Sequence, residues 1–92
     1  MSYLRVLWKH ELPDEPVVLY SELNADRFEV RKIELFRDGR CGHASATASS
    51  EGTQLSIVPV PERTSIAQQP EFEPTDITQE EFEAVWARRR MP

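Results

Sequence analysis

The chain has 92 residues, a single cysteine and a formal net charge of −5. This length predicts one domain over residues 1–92, and one cysteine excludes an internal disulfide. Nucleic-acid binding relies on clustered Lys and Arg, so the acid excess argues against it. Because the sequence also shows neither a signal peptide nor a long apolar segment, we expect a cytoplasmic protein without membrane association.

Two strands are predicted in the first quarter of the chain. Residues 3–10 and residues 17–23 carry apolar side chains at alternating positions, which is typical of strands with one buried face. Residues 11–16 between them contain two prolines and predict a loop. Residues 24–27 contain Asn and Asp, whose side chains bind nearby backbone groups, and they predict a turn.

Residues 28–45 predict a β-hairpin around Asp38 and Gly39. Asp-Gly between two extended runs favours a two-residue type I′ turn, which needs positive φ at both positions. This turn sets a register in which Glu34 faces His43 across the two strands. One face of the hairpin then carries Ile33, Leu35, Gly42 and Ala44. The other, more polar face carries Lys32, Glu34, Phe36, Cys41 and His43.

An irregularity is predicted near the start of this hairpin. Phe28 and Val30 are out of phase with Ile33 and Leu35, and a strand of period two cannot bury all four. We therefore expect a β-bulge near residues 31–32, or a strand that starts later than Phe28.

The middle of the chain contains fewer signals of regular structure. Residues 46–54 are small and polar and predict a mobile loop. Residues 55–60 predict a short fifth strand or an extended segment, and Pro59 and Pro61 would confine such a strand to a sheet edge. Residues 62–69 predict a short helix, and residues 71–74 an extended segment that Phe72 holds against the core.

The C-terminal part of the chain predicts a helix over residues 78–90. Thr78 and Glu81 have the spacing of a capping box, in which each side chain bonds the other residue's backbone N–H. Phe82, Val85 and Trp86 recur at helical spacing and define one apolar stripe. The arginines that follow suit a helix C-terminus, and we interpret them as a solvated helix end.

These elements together predict an α+β fold. We expect an antiparallel meander sheet of four to five strands, with the C-terminal α-helix packed on one face. An all-β barrel is the alternative, which a disordered C-terminal segment would favour.

The sequence contains few residues whose type and spacing suit catalysis or metal binding. Cys41, His43 and Glu34 share one patch in the predicted register, but nothing marks an oxyanion hole, so we expect no enzyme. His10, Cys41 and His43 are too few and too scattered for structural zinc, and we expect no metal and no cofactor. Carboxylates concentrated in residues 71–83 predict an acidic, solvated surface.

A string of motifs along the chain carries a resemblance to a known group of proteins. The matching stretches are Tyr3-Leu4-Arg5-Val6-Leu7-Trp8-Lys9-His10, Pro13-Asp14-Glu15-Pro16, Leu19-Tyr20-Ser21-Glu22, Arg27-Phe28-Glu29-Val30-Arg31-Lys32, Phe36-Arg37-Asp38-Gly39, Val58-Pro59, Pro70-Glu71-Phe72 and residues 82–86. They resemble a family of small, uncharacterised bacterial proteins of similar length. The resemblance covers nearly the whole chain and implies a stand-alone bacterial domain without an assigned function, so it transfers no catalytic residue.

The leading functional prediction is a non-enzymatic protein–protein interaction module. The acidic surface suits a basic protein partner, as in immunity or antitoxin proteins, and we expect a monomer or a weak dimer. The alternative is a small-ligand or nucleotide-binding protein that uses the polar sheet face. The candidate binding residues are Tyr20, Arg31, Lys32, Glu34 and His43.

Overall fold

The computed structural model describes residues 1–50 and 52–89. Its strands and helices, in chain order, are β1 (Ser2–Trp8), β2 (Pro16–Leu23), β3 (Glu29–Phe36), β4 (Cys41–Ser45), α1 (Arg63–Ala67), β5 (Phe72–Asp76) and α2 (Gln79–Ala87). The strands form one antiparallel sheet in the order β4-β3-β2-β1-β5. The α+β prediction with a C-terminal helix is confirmed, and the open sheet excludes the all-β barrel.

The fifth strand comes from a different part of the chain than its first candidate. Residues 55–60 form no strand, whereas β5 uses the segment predicted only to be extended. Pro74 is tolerated there because β5 lies at the sheet edge, where a missing N–H breaks no ladder. The short helix predicted at residues 62–69 is confirmed as α1.

The hairpin turn between β3 and β4 has three loop residues rather than two. The Phe36 amide donates to the Arg40 carbonyl at 2.9 Å, and the Gly39 amide donates to the Phe36 carbonyl at 3.0 Å. Gly39 has a φ of 94°, as expected for the left-handed residue that closes a three-residue loop. The register therefore shifts by one, and Ile33 pairs with His43. The predicted pairing of Glu34 with His43 is wrong.

This shift changes which β4 side chains share a face with β3, because side chains alternate along a strand. One side of the sheet, which we call the α2 face, carries Tyr3, Arg5, Tyr20, Glu22, Arg31, Ile33, Cys41 and His43. The opposite side, which we call the loop face, carries Leu4, Val6, Leu19, Ser21, Lys32, Glu34, Gly42 and Ala44. The predicted grouping of Ile33 with Gly42 is therefore wrong, as is that of Lys32 with Cys41.

The irregularity predicted at the start of β3 is confirmed. Glu22 pairs with Arg31 and Leu23 with Glu29, which leaves Val30 as the extra residue of a bulge. The strand also begins at Glu29, one residue after Phe28. The bulge changes the phase of the strand, as the sequence requires.

Helix α2 covers one face of the sheet. Its N-cap Thr78 forms the predicted capping box with Glu81, and Phe82 is fully buried with its ring centroid 5.4 Å from that of Tyr3. Trp86 packs edge-on against His43, with 5.9 Å between centroids. The helix ends at Ala87, earlier than predicted, and Arg90 lies outside the described residues.

Both edges of the sheet are obstructed. Along β4, Ser50 bonds the backbone of His43 twice: its amide donates to the carbonyl at 2.8 Å, and its hydroxyl accepts from the amide at 2.9 Å. The Ser45 amide donates to the Ala48 carbonyl. Along β5, Pro74 provides no donor. Such edges resist pairing with further strands, and the monomer or weak dimer stays a prediction.

Candidate functional site

The structure divides the five predicted binding residues between two faces. Tyr20, Arg31 and His43 lie on the α2 face, whereas Lys32 and Glu34 lie on the loop face. His43 is 6% exposed beneath Trp86. The single polar binding surface expected from the sequence therefore does not form.

Arg31 joins the sheet to α2. Its guanidinium donates to both oxygens of Glu22, at 2.7 and 2.9 Å, and to both oxygens of Glu83, at 3.0 and 2.7 Å. It also lies 4.9 Å from the ring centroid of Phe82 and 5.0 Å from that of Trp86. Such a guanidinium, held by two carboxylates and two aromatic rings, is a link within the fold.

The pKa values in this cluster follow from these hydrogen bonds. Donation from Arg31 holds the pKa values of the Glu22 and Glu83 carboxyls below their ordinary range. The two carboxylates in turn raise the pKa of Arg31. All three side chains are therefore charged at neutral pH, and their charges are paired with one another within the protein.

Cys41 lacks the environment of an activated nucleophile. Burial raises the pKa of its thiol, with a smaller opposing effect of Arg89. A catalytic cysteine instead needs a lowered pKa, because the thiolate is the reactive form. The same part of the chain, residues 1–50 and 52–89, contains no group of three or more His, Cys, Asp or Glu placed to hold a metal ion. None of its helices is long and apolar enough to cross a membrane.

On the loop face, a cluster of charged side chains anchors the segment that follows β4. Lys32 forms ion pairs with Glu29 at 3.4 Å and Glu34 at 3.9 Å, and all three side chains are at most 15% exposed. Glu34 accepts from the Thr53 hydroxyl at 3.1 Å, and Glu29 accepts from the Ser56 amide at 2.6 Å. Residues 53–56 are thus bonded to β3, and the mobility predicted for residues 46–54 stays a prediction.

Arg27 anchors the next part of the same segment. Its carbonyl accepts from the Val60 amide at 2.8 Å, and its guanidinium donates to the carbonyls of Val60 and Pro61 at 2.9 and 2.8 Å. Arg27 has a φ of 65°, an uncommon conformation for a residue with a side chain. The turn before β3 accordingly positions residues 60–61 through backbone and side chain together.

Two large apolar side chains are exposed between these anchors. Ile57 is 92% exposed and Val58 is 60% exposed. We call these two residues the apolar loop. Since Ser56 is bonded to β3 and Val60 to Arg27, the loop is held at both ends. This arrangement presents apolar surface to solvent on a constrained backbone.

An open cavity of about 190 Å³ lies on the loop face beside this segment. Its apolar walls are Leu4, Val6, Leu19, Val60, Ile66 and Phe72. Ser21 and Glu29 supply its polar groups, and the Ser21 hydroxyl donates to Glu29 at 3.3 Å. A mostly apolar cavity with a few converging polar groups is typical of small-ligand sites.

The residues of the apolar loop and of the cavity were missed as candidates in the sequence. Ile57 and Val58 form an apolar pair next to Pro59, which is also the pattern of a short edge strand. Glu29 follows an aromatic residue in an alternating run, and nothing local distinguishes it from a solvated strand residue. The exposure of the pair and the burial of the carboxylate depend on contacts with distant residues.

The acidic surface predicted at residues 71–83 is partly neutralised. Glu73 pairs with Lys9 at 3.7 Å, Asp76 with Arg63 at 3.1 Å, and Glu83 with Arg31. Exposed pairs of this kind add little stability, about 0–1 kcal/mol each. They do reduce the local field that would attract a basic partner to this segment.

Comparison with protein families gives a match over nearly the whole chain. A family model described as a domain of unknown function, DUF6881, matches residues 2–91. No curated protein and no solved structure matches the chain. The resemblance to an uncharacterised family is confirmed, and the bacterial origin that it implied stays a prediction.

Proposed function

The chain belongs to the DUF6881 family, a domain of unknown function, and we propose that it is a non-enzymatic protein-binding module that uses the apolar loop. The observation that carries this proposal is the 92% exposure of Ile57 in a segment anchored at both ends. Apolar side chains exposed together mark binding surfaces more often than isolated ones do.

The anchoring of the loop favours binding. Ordering a flexible segment opposes association, at about 0.5–1.5 kcal/mol for each immobilised side chain. Here Glu29 fixes Ser56 and Arg27 fixes Val60 before any partner arrives. Burial of Ile57 and Val58 would then contribute about 25 cal/mol for each Å² of apolar surface removed from water.

The electrostatic environment supports a basic partner in general terms. The net charge of −5 speeds encounter with positively charged proteins and disfavours acidic ones. An immunity or antitoxin protein is the specific form of this proposal. Because Glu73, Asp76 and Glu83 already form ion pairs within the protein, we expect a partner to contact the apolar loop rather than residues 71–83.

The absence of catalysis is part of the same proposal. Two observations support it: the raised pKa of Cys41 and the engagement of Arg31 by Glu22 and Glu83. Each leaves the group less available for chemistry on a substrate. The thiol is mostly protonated at neutral pH, and the guanidinium is already bonded.

Affinity capture with matched variants tests the proposal. The bait proteins are the wild type, the double variant Ile57→Asp/Val58→Asp, and Leu12→Asp, which changes another exposed apolar residue (52% exposed) in a different loop. We expect one protein in stoichiometric amount with the wild type and with Leu12→Asp, and its loss with the double variant. Recovery of the same protein with the double variant would contradict the proposal, and so would the lack of any enriched protein.

The alternative function, small-ligand binding, would use a different part of the sheet from the polar face predicted from the sequence. Lys32 and Glu34 lie beneath residues 53–56, and Tyr20 and His43 are on the opposite face. The observation that favours a ligand-binding function is instead the cavity beside Glu29, on the loop face.

A further inference from the structure

We propose that the cavity on the loop face binds a primary ammonium group carried on a short apolar body. Glu29 and Ser21 receive the ammonium, and the apolar walls surround the body. The cavity shares Glu29 and Val60 with the anchors of the apolar loop, but its ligand would contact neither Ile57 nor Val58, which do not line it. Three observations support it: the charge of the surroundings, the free bonding capacity of Glu29, and the size of the cavity.

The charges around the cavity are unbalanced. Glu29 and Glu34 share the ammonium of Lys32 in the ion pairs that the described residues form. The Glu29 side chain is only 7% exposed. Removing a carboxylate from water is costly unless opposite charge or hydrogen bonds replace the solvent. A cationic ligand would supply the missing positive charge.

One oxygen of Glu29 has capacity for a further donor. Oε1 accepts from the Ser56 amide at 2.6 Å and lies 3.4 Å from the Lys32 ammonium. Within residues 1–50 and 52–89, Oε2 accepts only from the Ser21 hydroxyl, at a long 3.3 Å. A carboxylate oxygen can accept two hydrogen bonds, and the Ser21 oxygen retains its own lone pairs. An ammonium at this point would donate to both side chains.

The cavity volume of about 190 Å³ limits the body of the ligand to a few carbon atoms. Butyl and benzyl groups are of suitable size, and the walls offer only hydrocarbon side chains to them. The side chain of lysine has the same chemistry, an ammonium on a four-carbon stem. The ligand is therefore a free small amine or a lysine side chain presented by another protein.

Titration with small probes tests this site directly. n-Butylamine, n-butanol and butyrate share one body and differ in charge, and binding is followed by backbone amide NMR shifts around Leu19 and Ser21. A hydrogen bond from an ammonium to a carboxylate is charge-assisted and stronger than one from a neutral hydroxyl. We expect n-butylamine to bind at least about tenfold tighter than n-butanol, and butyrate not to bind. Equal affinity for the amine and the alcohol would overturn the proposal, as would no binding of the amine.

A lysine probe separates the two sources of the ammonium. Nα-acetyl-lysine methylamide has the butylammonium group together with a peptide backbone. Tighter binding of this probe than of n-butylamine would support a lysine from a partner protein. Weaker binding would support a free amine, because the backbone would then be excluded.

Two matched carboxyl variants locate the charge. Glu29→Gln removes the charge in the cavity, whereas Glu34→Gln removes a carboxylate that pairs with the same Lys32 but does not line the cavity. We expect Glu29→Gln to abolish the preference for the amine, and Glu34→Gln to retain at least a tenfold preference, about 1.4 kcal/mol. An unchanged preference in folded Glu29→Gln would overturn the assignment.

A third variant keeps the test decisive if Glu29→Gln fails to fold. Ile66→Trp fills the cavity from α1, where the residue is half-buried, and leaves both carboxylates in place. We expect n-butylamine binding to be lost. Retained binding would place the amine elsewhere and refute the site. Partner capture through the apolar loop should be unaffected, so failure of one proposal is distinguishable from failure of the other.

Discussion

Replacing Arg31 with methionine would leave the Glu22 carboxylate buried without its guanidinium partner. Removal of one member of a buried ion pair costs about 3–5 kcal/mol. Glu22 retains the Tyr3 hydroxyl at 2.9 Å, and Arg31 is 19% exposed rather than fully buried. The loss of Glu83 adds little, since that side chain is 45% exposed and screened by solvent. We therefore expect Arg31→Met to lower the free energy of unfolding by about 2–4 kcal/mol.

Urea denaturation followed by tryptophan fluorescence measures this loss, because Trp86 lies against Arg31. If the uncompensated charge of Glu22 causes most of it, Glu22→Gln should recover about 1 kcal/mol or more in the Arg31→Met background. The same change in the wild-type background should destabilise. An Arg31→Met protein within about 0.5 kcal/mol of wild type would refute the reasoning, as would no recovery in the double variant.

The pH dependence of the two proteins should have opposite signs. In the wild type, Arg31 lowers the pKa values of Glu22 and Glu83. The resulting stability is complete above the unfolded pKa of about 4.3 and is lost as pH falls through the lowered folded values. In Arg31→Met, burial becomes the largest remaining influence and raises the pKa of Glu22 against the smaller opposing effect of the Tyr3 hydroxyl, so protonation stabilises the variant. The stability gap should narrow between neutral pH and about pH 4, and a constant gap would contradict this account.

Three further predictions concern the sheet and its covers. Trp86→Ala should cost about 3 kcal/mol, the lower end for a large aromatic residue because Trp86 is only half-buried between α2 and the sheet. A melting temperature close to wild type would show that the helix does not depend on this contact. Gly42→Ala should destabilise the protein by about 1–3 kcal/mol, because its Cβ would overlap the Thr53 hydroxyl. Adding Thr53→Gly should relieve the overlap and restore stability in a denaturation experiment. An unchanged stability of the double variant would refute that cause. Cys41 should react with a thiol reagent at neutral pH more slowly than an unstructured cysteine peptide, since burial raises the pKa of its thiol. A faster reaction would contradict this and would favour a catalytic cysteine.

The sequence predicts elements best where the signal is local. The capping box of Thr78 and Glu81 and the apolar stripe of α2 specify the helix within a few residues. The Asp38-Gly39 pair identifies the hairpin but not its register. A two-residue type I′ turn and a three-residue loop both place glycine at positive φ, and they differ by one residue in pairing. That difference moved His43 from the predicted polar face to the α2 face.

The candidate sites could not be predicted because they depend on long-range contacts. Residues 53–61 have no periodic pattern of their own, and bonds from Arg27, Glu29 and Glu34 determine where they lie. Those three residues precede the segment by about twenty residues or more and lie in and beside an ordinary strand pattern. The exposure of Ile57 and the cavity beside Glu29 both follow from this placement.

The order of the elements along the chain affects how the protein is made. All four strands of the β1–β4 meander leave the ribosome before β5, and α2 follows every strand. Synthesis runs from the N-terminus, and a domain generally folds as a unit. The emerging meander therefore exposes Tyr3 to solvent until Phe82 packs against it. Chaperones that bind extended apolar strands have their opportunity in that interval, and slower translation of residues 46–78 would prolong it.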